Sequence, residues 1–465
     1  MSIRLFKMYM KVPIVLLALI EGSLLVFAVY LAVSIDRQGV DIATATPSGH
    51  LLPTALVFAS FGLVSLFAVG LYSTRQRSSR AGVFVRVAAS MVSAAALSTF
   101  CYYVLPSLRI ERHVLASTMV IGIMASFITR LLFERIVDDD LFKRRVLVFG
   151  AGTRAQSLLD LRRRSDTRSF RLIGFVPTDG DVIAAPADRI VERPADLFRW
   201  AVENDLDEIV MAMDDRRRGF PMHELLECRL AGIDILELPS FLERETGKVR
   251  LDVLNPSWII FGEGFNASPL QRALQRAFDL LASLGLLVVV LPFMVLAVIG
   301  IRIEDGLRAP VLYRQRRVGH RGEIFEVLKF RSMGVDAEPA GAQYATTNDP
   351  RVTRMGGLMR RTHIDELPQL LNVLRGEMSF VGPRPERPEF VCQLEQRIPY
   401  YRERHTVKPG ITGWAQLCYP YDSSEKDAVE KLQYDLYYVK NRSLLFDLAI
   451  LMQTVEVVLW GKGAR

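Results

Sequence analysis

Long runs of uncharged, apolar residues commit a chain to lipid before anything else is decided, because a bilayer core takes ~20 such residues per helix. Four runs lie before residue 135, at Val12–Val33, Leu51–Tyr72, Val83–Leu105 and Val114–Phe133, and a fifth, Leu280–Ile301, carries no charge. The first run lacks a small-residue cleavage site and is followed by others, so it reads as a retained helix rather than a secretion signal. Basic residues in short loops mark the cytoplasmic side. Arg4, Lys7 and Lys11 precede the first run, Arg75, Arg77 and Arg80 follow the second, and Lys143, Arg144 and Arg145 follow the fourth. The loop after the first run has only Arg37, beside Asp36 and Asp41. The alternation predicts a four-span domain over 1–140, with the N-terminus and everything from residue 140 onward in the cytoplasm. Arg109 and Arg112 in the third loop are a mild conflict. Glu21, inside the first run, either faces the bundle interior or is functional.

The fifth run has Pro292 in its middle. Arg272 and Arg276 precede it, and Arg302, Arg308, Arg314, Arg316 and Arg317 follow it, so both flanks belong on the cytoplasmic side. A segment that enters the membrane and returns satisfies both. Pro292 supplies the means, since proline lacks an N–H and breaks or kinks a helix. The alternative is an ordinary fifth span with a tolerated proline.

Between these membrane parts, residues 141–248 alternate strand and helix. The strand Val146–Phe149 runs into Gly150-Ala151-Gly152-Thr153-Arg154-Ala155, the strand–turn–helix context of a dinucleotide fingerprint. Further strands at Arg171–Val176, Glu208–Met213 and Asp234–Leu238 alternate with helices at Pro194–Asn204 and Pro221–Ala231, which argues for a parallel sheet. Asp179 falls loosely where a ribose-binding acid would sit. Gly150 and Gly152 shape either a nucleotide site or the turn of a Rossmann-like scaffold that binds none, and both readings stay open. Residues 249–268 read as a linker.

The chemistry lies in 269–465. "LKFRSM" places Lys329 and Arg331 after an apolar strand pattern, where they serve a membrane surface or converge on phosphate. "RRTHIDELPQLLNVLRG" places Asp365 and Glu366 at the start of a helix, with Pro368 in its first turn and Gly376 at its end. The helix dipole favours their ionised forms. An ionised Asp can attack phosphorus and a neighbouring Glu can hold Mg²⁺, although an acid pair alone also reads as a plain cap. Arg360 and Arg361 lie upstream. Downstream, Pro383 and Pro385 flank Arg384 and hold its planar guanidinium rigidly, as diphosphate recognition requires.

Together with "RAFDLLAS", "LYRQRRVG", "NDPRVTRMGGLMRRTHIDELPQLLNVLRGEMSFVGPRPERPEF", "VKPGITGWAQ" and "YDLYYVKNRS", these stretches give residues of about 267–465 a close resemblance to the monotopic phosphoglycosyl transferases, or bacterial sugar transferases. The whole chain resembles their long form, and within it the sugar transferases of exosortase (PEP-CTERM) exopolysaccharide clusters. The resemblance implies a membrane protein of α plus α/β class: four N-terminal spans, a Rossmann-like domain, and a mostly α-helical catalytic domain with a re-entrant, Pro-broken helix over 272–303. It implies transfer of a sugar-1-phosphate from a UDP-sugar to undecaprenyl phosphate, releasing UMP and initiating exopolysaccharide synthesis. Asp365 would be the nucleophile and Glu366 the ligand of Mg²⁺ (or Mn²⁺). Lys329, Arg360 and Arg384 would lie near the phosphates, and Pro292 would break the helix. Some members have Ser before that proline; Leu291 stands there here, so no hydroxyl assists the break.

The place implied is the bacterial inner membrane, with the catalytic domain facing the cytoplasm. The transfer needs no NAD. Partners expected are membrane lipid, downstream glycosyltransferases and a second copy as a homodimer. The net charge of +7 suits anionic lipid and phosphorylated substrates. Nucleic acid is not expected, since the basic residues hug the apolar segments and no binding motif is present. Cys101, Cys228, Cys392 and Cys418 contain no Cys-x-x-Cys pair, so neither a zinc site nor a disulfide framework is indicated. Two rivals remain. A membrane-bound nucleotide-sugar dehydratase or epimerase would need a Tyr-x-x-x-Lys pair, which is missing. A non-enzymatic assembly protein would not need the Asp-Glu, Lys329 and Gly-Pro-Arg-Pro constellation.

Overall fold

Apolar length becomes helix length. The computed structural model describes the chain except residues 1, 6–7, 37–50, 73–79, 137–142, 162–163, 168, 180, 216–219, 255–263, 266–267, 307, 335–350, 420–423 and 461–465. Arg37, Arg75, Arg77, Lys7 and most of the expected linker lie outside the described residues. The chain divides into two units, Met1–Leu254 and Asn255–Arg465.

In the first unit, helices α1 (Val12–Asp36), α2 (Leu51–Ala68), α3 (Arg80–Val104) and α4 (Arg112–Ile136) fall on the four predicted runs, with α2 ending four residues before the end of its run at Tyr72. Each is long and apolar enough to cross a membrane. Glu21 is fully buried. Arg130 of α4 donates to Glu21 Oε2 at 2.7 Å and to the Leu71 carbonyl at 2.7 Å, and the Tyr72 hydroxyl donates to the same carboxylate oxygen. A charge buried among apolar helices needs such a partner, and here the pair ties the first span to the fourth and to the end of the second.

The same unit holds four parallel strands, β1 (Arg144–Phe149), β2 (Phe170–Val176), β3 (Glu208–Met211) and β4 (Asp234–Glu237), in the order β2-β1-β3-β4. Side-chain alternation splits β1 between two cores. Val146 and Val148 pack with Phe175, Val210 and Phe241, whereas Leu147 and Phe149 pack with Ile209, Met211 and Leu197. Helices α5 (Thr153–Leu159), α6 (Leu197–Glu203), α7 (Met222–Leu230) and α8 (Leu238–Thr246) complete the αβ alternation.

The second unit opens with α9 (Pro269–Asp305). The Ser268 hydroxyl accepts from Gln271 N at 3.1 Å, Pro269 occupies the first turn, and Gly306 at φ +87° ends the helix. Pro292 lies inside this run, which is helical on both sides of it. A proline there removes one donor and crowds the carbonyl of the preceding turn, which bends a helix without having to end it. The antiparallel hairpin β5 (Leu312–Val318) and β6 (Ile324–Phe330) follows, with Tyr313 opposite Lys329. Then come α10 (Arg354–Thr362), α11 (Gln369–Arg375), β7 (Ser379–Val381), α12 (Pro388–Arg397), β8 (Gly410–Thr412) parallel to β7, α13 (Glu425–Asn441) and α14 (Leu444–Trp460). Val327, Leu370, Val373, Met378, Phe380, Tyr438 and Ile450 share one core, which joins β6, α11, β7, α13 and α14.

Candidate active site

Asp365 and Glu366 sit on a single 3-10 turn, Ile364–Glu366, one turn before α11 and not at the head of it as the sequence suggested. The cause is His363, whose φ of +55° ends α10 and re-aims the chain. Asp365 is buried and Glu366 partly so.

Three elements bring basic groups to this turn. Lys329, the penultimate residue of β6, donates from Nζ to Glu366 Oε1 at 2.8 Å. Arg384 reaches the same oxygen at 3.6 Å. Arg360 on α10 donates from Nε to Ser332 Oγ at 2.9 Å and contributes positive potential at Asp365. The two carboxyls respond differently. Burial opposes ionisation of Glu366, but Arg384 and Lys329 outweigh it and hold its pKa at about 2. Burial raises Asp365, and the Glu366 charge raises it further; Lys329 and Arg360 offset part of this. Adjacent carboxyls pushed apart in acidity are a common mark of divided chemical roles.

Asn372 of α11 fixes the distance between the turn and Lys329. It is fully buried, accepts from Leu328 N at 3.0 Å and donates to the Glu326 carbonyl at 2.7 Å, so it pairs with the edge of β6 opposite β5. Arg331, expected beside Lys329 at the phosphates, instead donates to Asp305 at the end of α9 at 2.5 Å. It lies past the last residue of β6, where side-chain alternation no longer dictates direction.

Prolines at 383 and 385 leave the Gly-Pro-Arg-Pro loop short of N–H donors, so carbonyls must anchor it. Gly410 N donates to the Pro383 carbonyl at 3.0 Å and Val318 N to that of Glu386 at 2.9 Å. Arg404 Nη2 donates to the Arg384 carbonyl at 3.0 Å and Arg317 Nη1 to that of Pro385 at 3.0 Å. Neither arginine was singled out from sequence for this loop.

In the first unit, the glycine turn is occupied by protein. Gly150 has φ +122°, and a Cβ there would lie 2.5 Å from the Ala212 carbonyl carbon. Asp214 accepts from Thr153 N and Arg154 N, each at 2.9 Å, at the first residues of α5. A Cβ on Gly152 would collide with that carboxylate. Asp181, rather than Asp179, is the acid beside the turn: it accepts from Ala151 N at 3.0 Å and Thr178 N at 3.0 Å. The N–H groups that hold diphosphate in a dinucleotide fold thus point at side-chain carboxylates.

The sequence profile described as "Bacterial sugar transferase" matches residues 270–461. The UDP-N-acetylgalactosamine-undecaprenyl-phosphate N-acetylgalactosaminephosphotransferase of Aeromonas hydrophila is 39% identical over 252 residues, which cover 54% of this chain and 58% of the relative. The UDP-glucose:undecaprenyl-phosphate glucose-1-phosphate transferase of Escherichia coli (strain K12) is 34% identical over 320 residues, 67% of each chain. The exopolysaccharide production protein PSS of Rhizobium leguminosarum bv. phaseoli is 42% identical over 198 residues, 41% of this chain and 98% of that protein. The chain thus spans less than two thirds of the Aeromonas relative's own length.

Proposed function

Since the chain belongs to the bacterial sugar transferases, we propose that it transfers a sugar-1-phosphate from a UDP-sugar to undecaprenyl phosphate, releasing UMP, as the first membrane step of exopolysaccharide synthesis. The observation that carries this reading is the carboxyl pair itself, with Asp365 buried and Glu366 approached by Lys329 at 2.8 Å and Arg384 at 3.6 Å.

In the first half-reaction an Asp365 oxygen bonds to the β-phosphorus while the bond from that phosphorus to the α–β bridging oxygen breaks. UMP leaves with the bridging oxygen and the electron pair. The resulting acyl phosphate carries the sugar. An oxygen of the lipid phosphate then bonds to the same phosphorus and expels Asp365 as carboxylate, which leaves a sugar diphospholipid. Lys329, Arg360 and Arg384 bind and orient the phosphates, and nothing is oxidised or reduced.

A divalent cation of the Mg²⁺ (or Mn²⁺) type fits the donor set, since it takes one or two carboxylates and completes its shell with substrate phosphates. Glu366, ionised to low pH, would hold it, and the ion would neutralise diphosphate charge. The glycine turn acts as scaffold on this reading, because Asp214 and Asp181 already engage its N–H groups.

The donor sugar is cytoplasmic, so the catalytic unit faces the cytoplasm of the inner membrane and α9 enters the bilayer and returns. The contacts of α9 support this. Near its start Arg276 donates to the Val373 and Leu374 carbonyls at 2.6 and 2.7 Å, and at its end Glu304 accepts from Arg354 N and Met355 N at 2.8 and 2.9 Å. Both ends thus pack on one unit, whereas 284–296 contains no buried residue.

The test is incubation with UDP-sugar and Mg²⁺ without lipid. UMP should appear, and the protein should gain the mass of one sugar phosphate on Asp365. Asp365→Asn should abolish both. Release of UMP only when lipid phosphate is present, with no adduct, would replace the covalent route by direct attack.

A further inference from the structure

Arg404 and Asp435 form a buried ion pair in the catalytic unit, at 4% and 2% exposure. Arg404 Nε and Nη2 lie 3.0 and 2.8 Å from Asp435 Oδ2. Its Nη1 donates to the Tyr401 hydroxyl at 2.7 Å, and Nη2 also donates to the Arg384 carbonyl at 3.0 Å. Replacing such a pair by apolar side chains of equal volume is often neutral for stability, so its presence calls for another account. The geometry supplies one: Arg404 spends one guanidinium nitrogen on the backbone of the residue whose own guanidinium approaches Glu366 at 3.6 Å.

We infer that Arg404, oriented by Asp435, is a positioning residue that sets where the Arg384 guanidinium meets the substrate phosphates. This rests on the transferase reading for the role of Arg384, but not for the mechanical link. A lysine at 404 has a single ammonium on a flexible stem and cannot hold Asp435, Tyr401 and the Arg384 carbonyl in one plane. Arg317 and the two main-chain donors remain to hold the rest of the loop, so the expected defect is local.

Amide exchange in the full-length protein, reconstituted in lipid nanodiscs, reads this directly. Arg404→Lys and Asp435→Asn should each speed exchange in the 382–387 loop by about tenfold or more, with β6 and α13 unchanged. A double-mutant cycle adds a catalytic readout. Arg404→Lys should lower kcat about ten- to a hundredfold in the wild-type background, since small misplacements of a binding group carry costs of this order. In an Arg384→Ala background it should cost under about twofold, because the group it positions is gone.

Unchanged loop exchange in a folded variant overturns the inference, as does a rate loss of the same size in both backgrounds. Accelerated exchange throughout the unit, or failure of both variants to fold, also overturns it, since the pair would then support the whole fold. Should Arg404→Lys alone fail to fold, Asp435→Asn carries both readouts. Exchange needs no turnover: wild-type protein that releases no UMP from any UDP-sugar would sink the transferase reading while the exchange result still decides this one.

Discussion

Lys329→Met removes the ammonium 2.8 Å from Glu366 Oε1. At that separation and an effective dielectric of 20 the gross attraction is about 6 kcal/mol, most of it offset by desolvation of both charges. A cation this close shifts a carboxyl by about 1–3 pH units. Glu366 starts at about 2 and keeps Arg384, so it rises to about 5 at most and stays ionised at neutral pH. Asp365 is already raised from its ordinary value and loses the same cation, so it moves up as well. Asp365 must be ionised to attack, and its titration therefore sets the acid limb of kcat/KM. Loss of a cation raises an acid's pKa, so the limb should move to higher pH. Above the limb the rate should still fall about 100-fold or more, because a phosphate contact is missing. Initial rates of UMP release across the acid and neutral range measure both effects. Lys329→Arg keeps the charge and should leave the limb in place. A limb that stays put in Lys329→Met, or moves to lower pH, refutes the electrostatic assignment. Stability has its own sign. The depressed Glu366 contributes stability that is present above its unfolded value of 4.5 and lost as pH falls toward about 2, and Lys329→Met reduces it.

Asp214→Ala should loosen the turn before α5 by about 0.5–2 kcal/mol, the usual cost of a lost helix cap. Gly152→Ala displaces the same carboxylate, so the two effects should overlap in amide exchange at Thr153 and Arg154; full additivity would count against the shared cause. Glu21→Leu strands a buried arginine and should cost about 3–5 kcal/mol, read as folded yield in detergent, with Arg130→Met restoring most of it. A double variant no better than Glu21→Leu would show that the pair is not the reason. Single cysteines at the exposed positions Leu274 and Ile303 should both escape an impermeant label applied outside the cell. Labelling of the Ile303 position alone would make α9 a full span.

What the sequence revealed and what it hid follow from chain distance. The apolar runs, the acid pair, the two-proline loop and the strand–turn–helix unit are local patterns, and each is visible in a short window. Their partners are not. Glu21 was visible as a charge inside an apolar run, but its partner Arg130 lies 109 residues on. The glycine turn displayed its fingerprint, while Asp214, which occupies it, is 61 residues from Thr153. Asn372 was not singled out, since the Leu328 N and Glu326 carbonyl that it pairs with lie 44 and 46 residues away. Arg331 is the reverse case: closeness to Lys329 in sequence implied a shared task, whereas its guanidinium pairs with Asp305 of α9.

The carboxylates at the glycine turn also bear on how the first unit meets changes in the cell. A domain that binds a dinucleotide gains stability by mass action, about 2.7 kcal/mol when the ligand stands at a hundred times its dissociation constant, and loses it when the pool is drained. Here the anion facing α5 is Asp214, carried on the same chain. Its effective concentration is fixed by covalent connection and cannot be depleted. The share of the turn's stability that comes from Asp214 is therefore the same in a starved cell as in a growing one, because it draws on no diffusible pool.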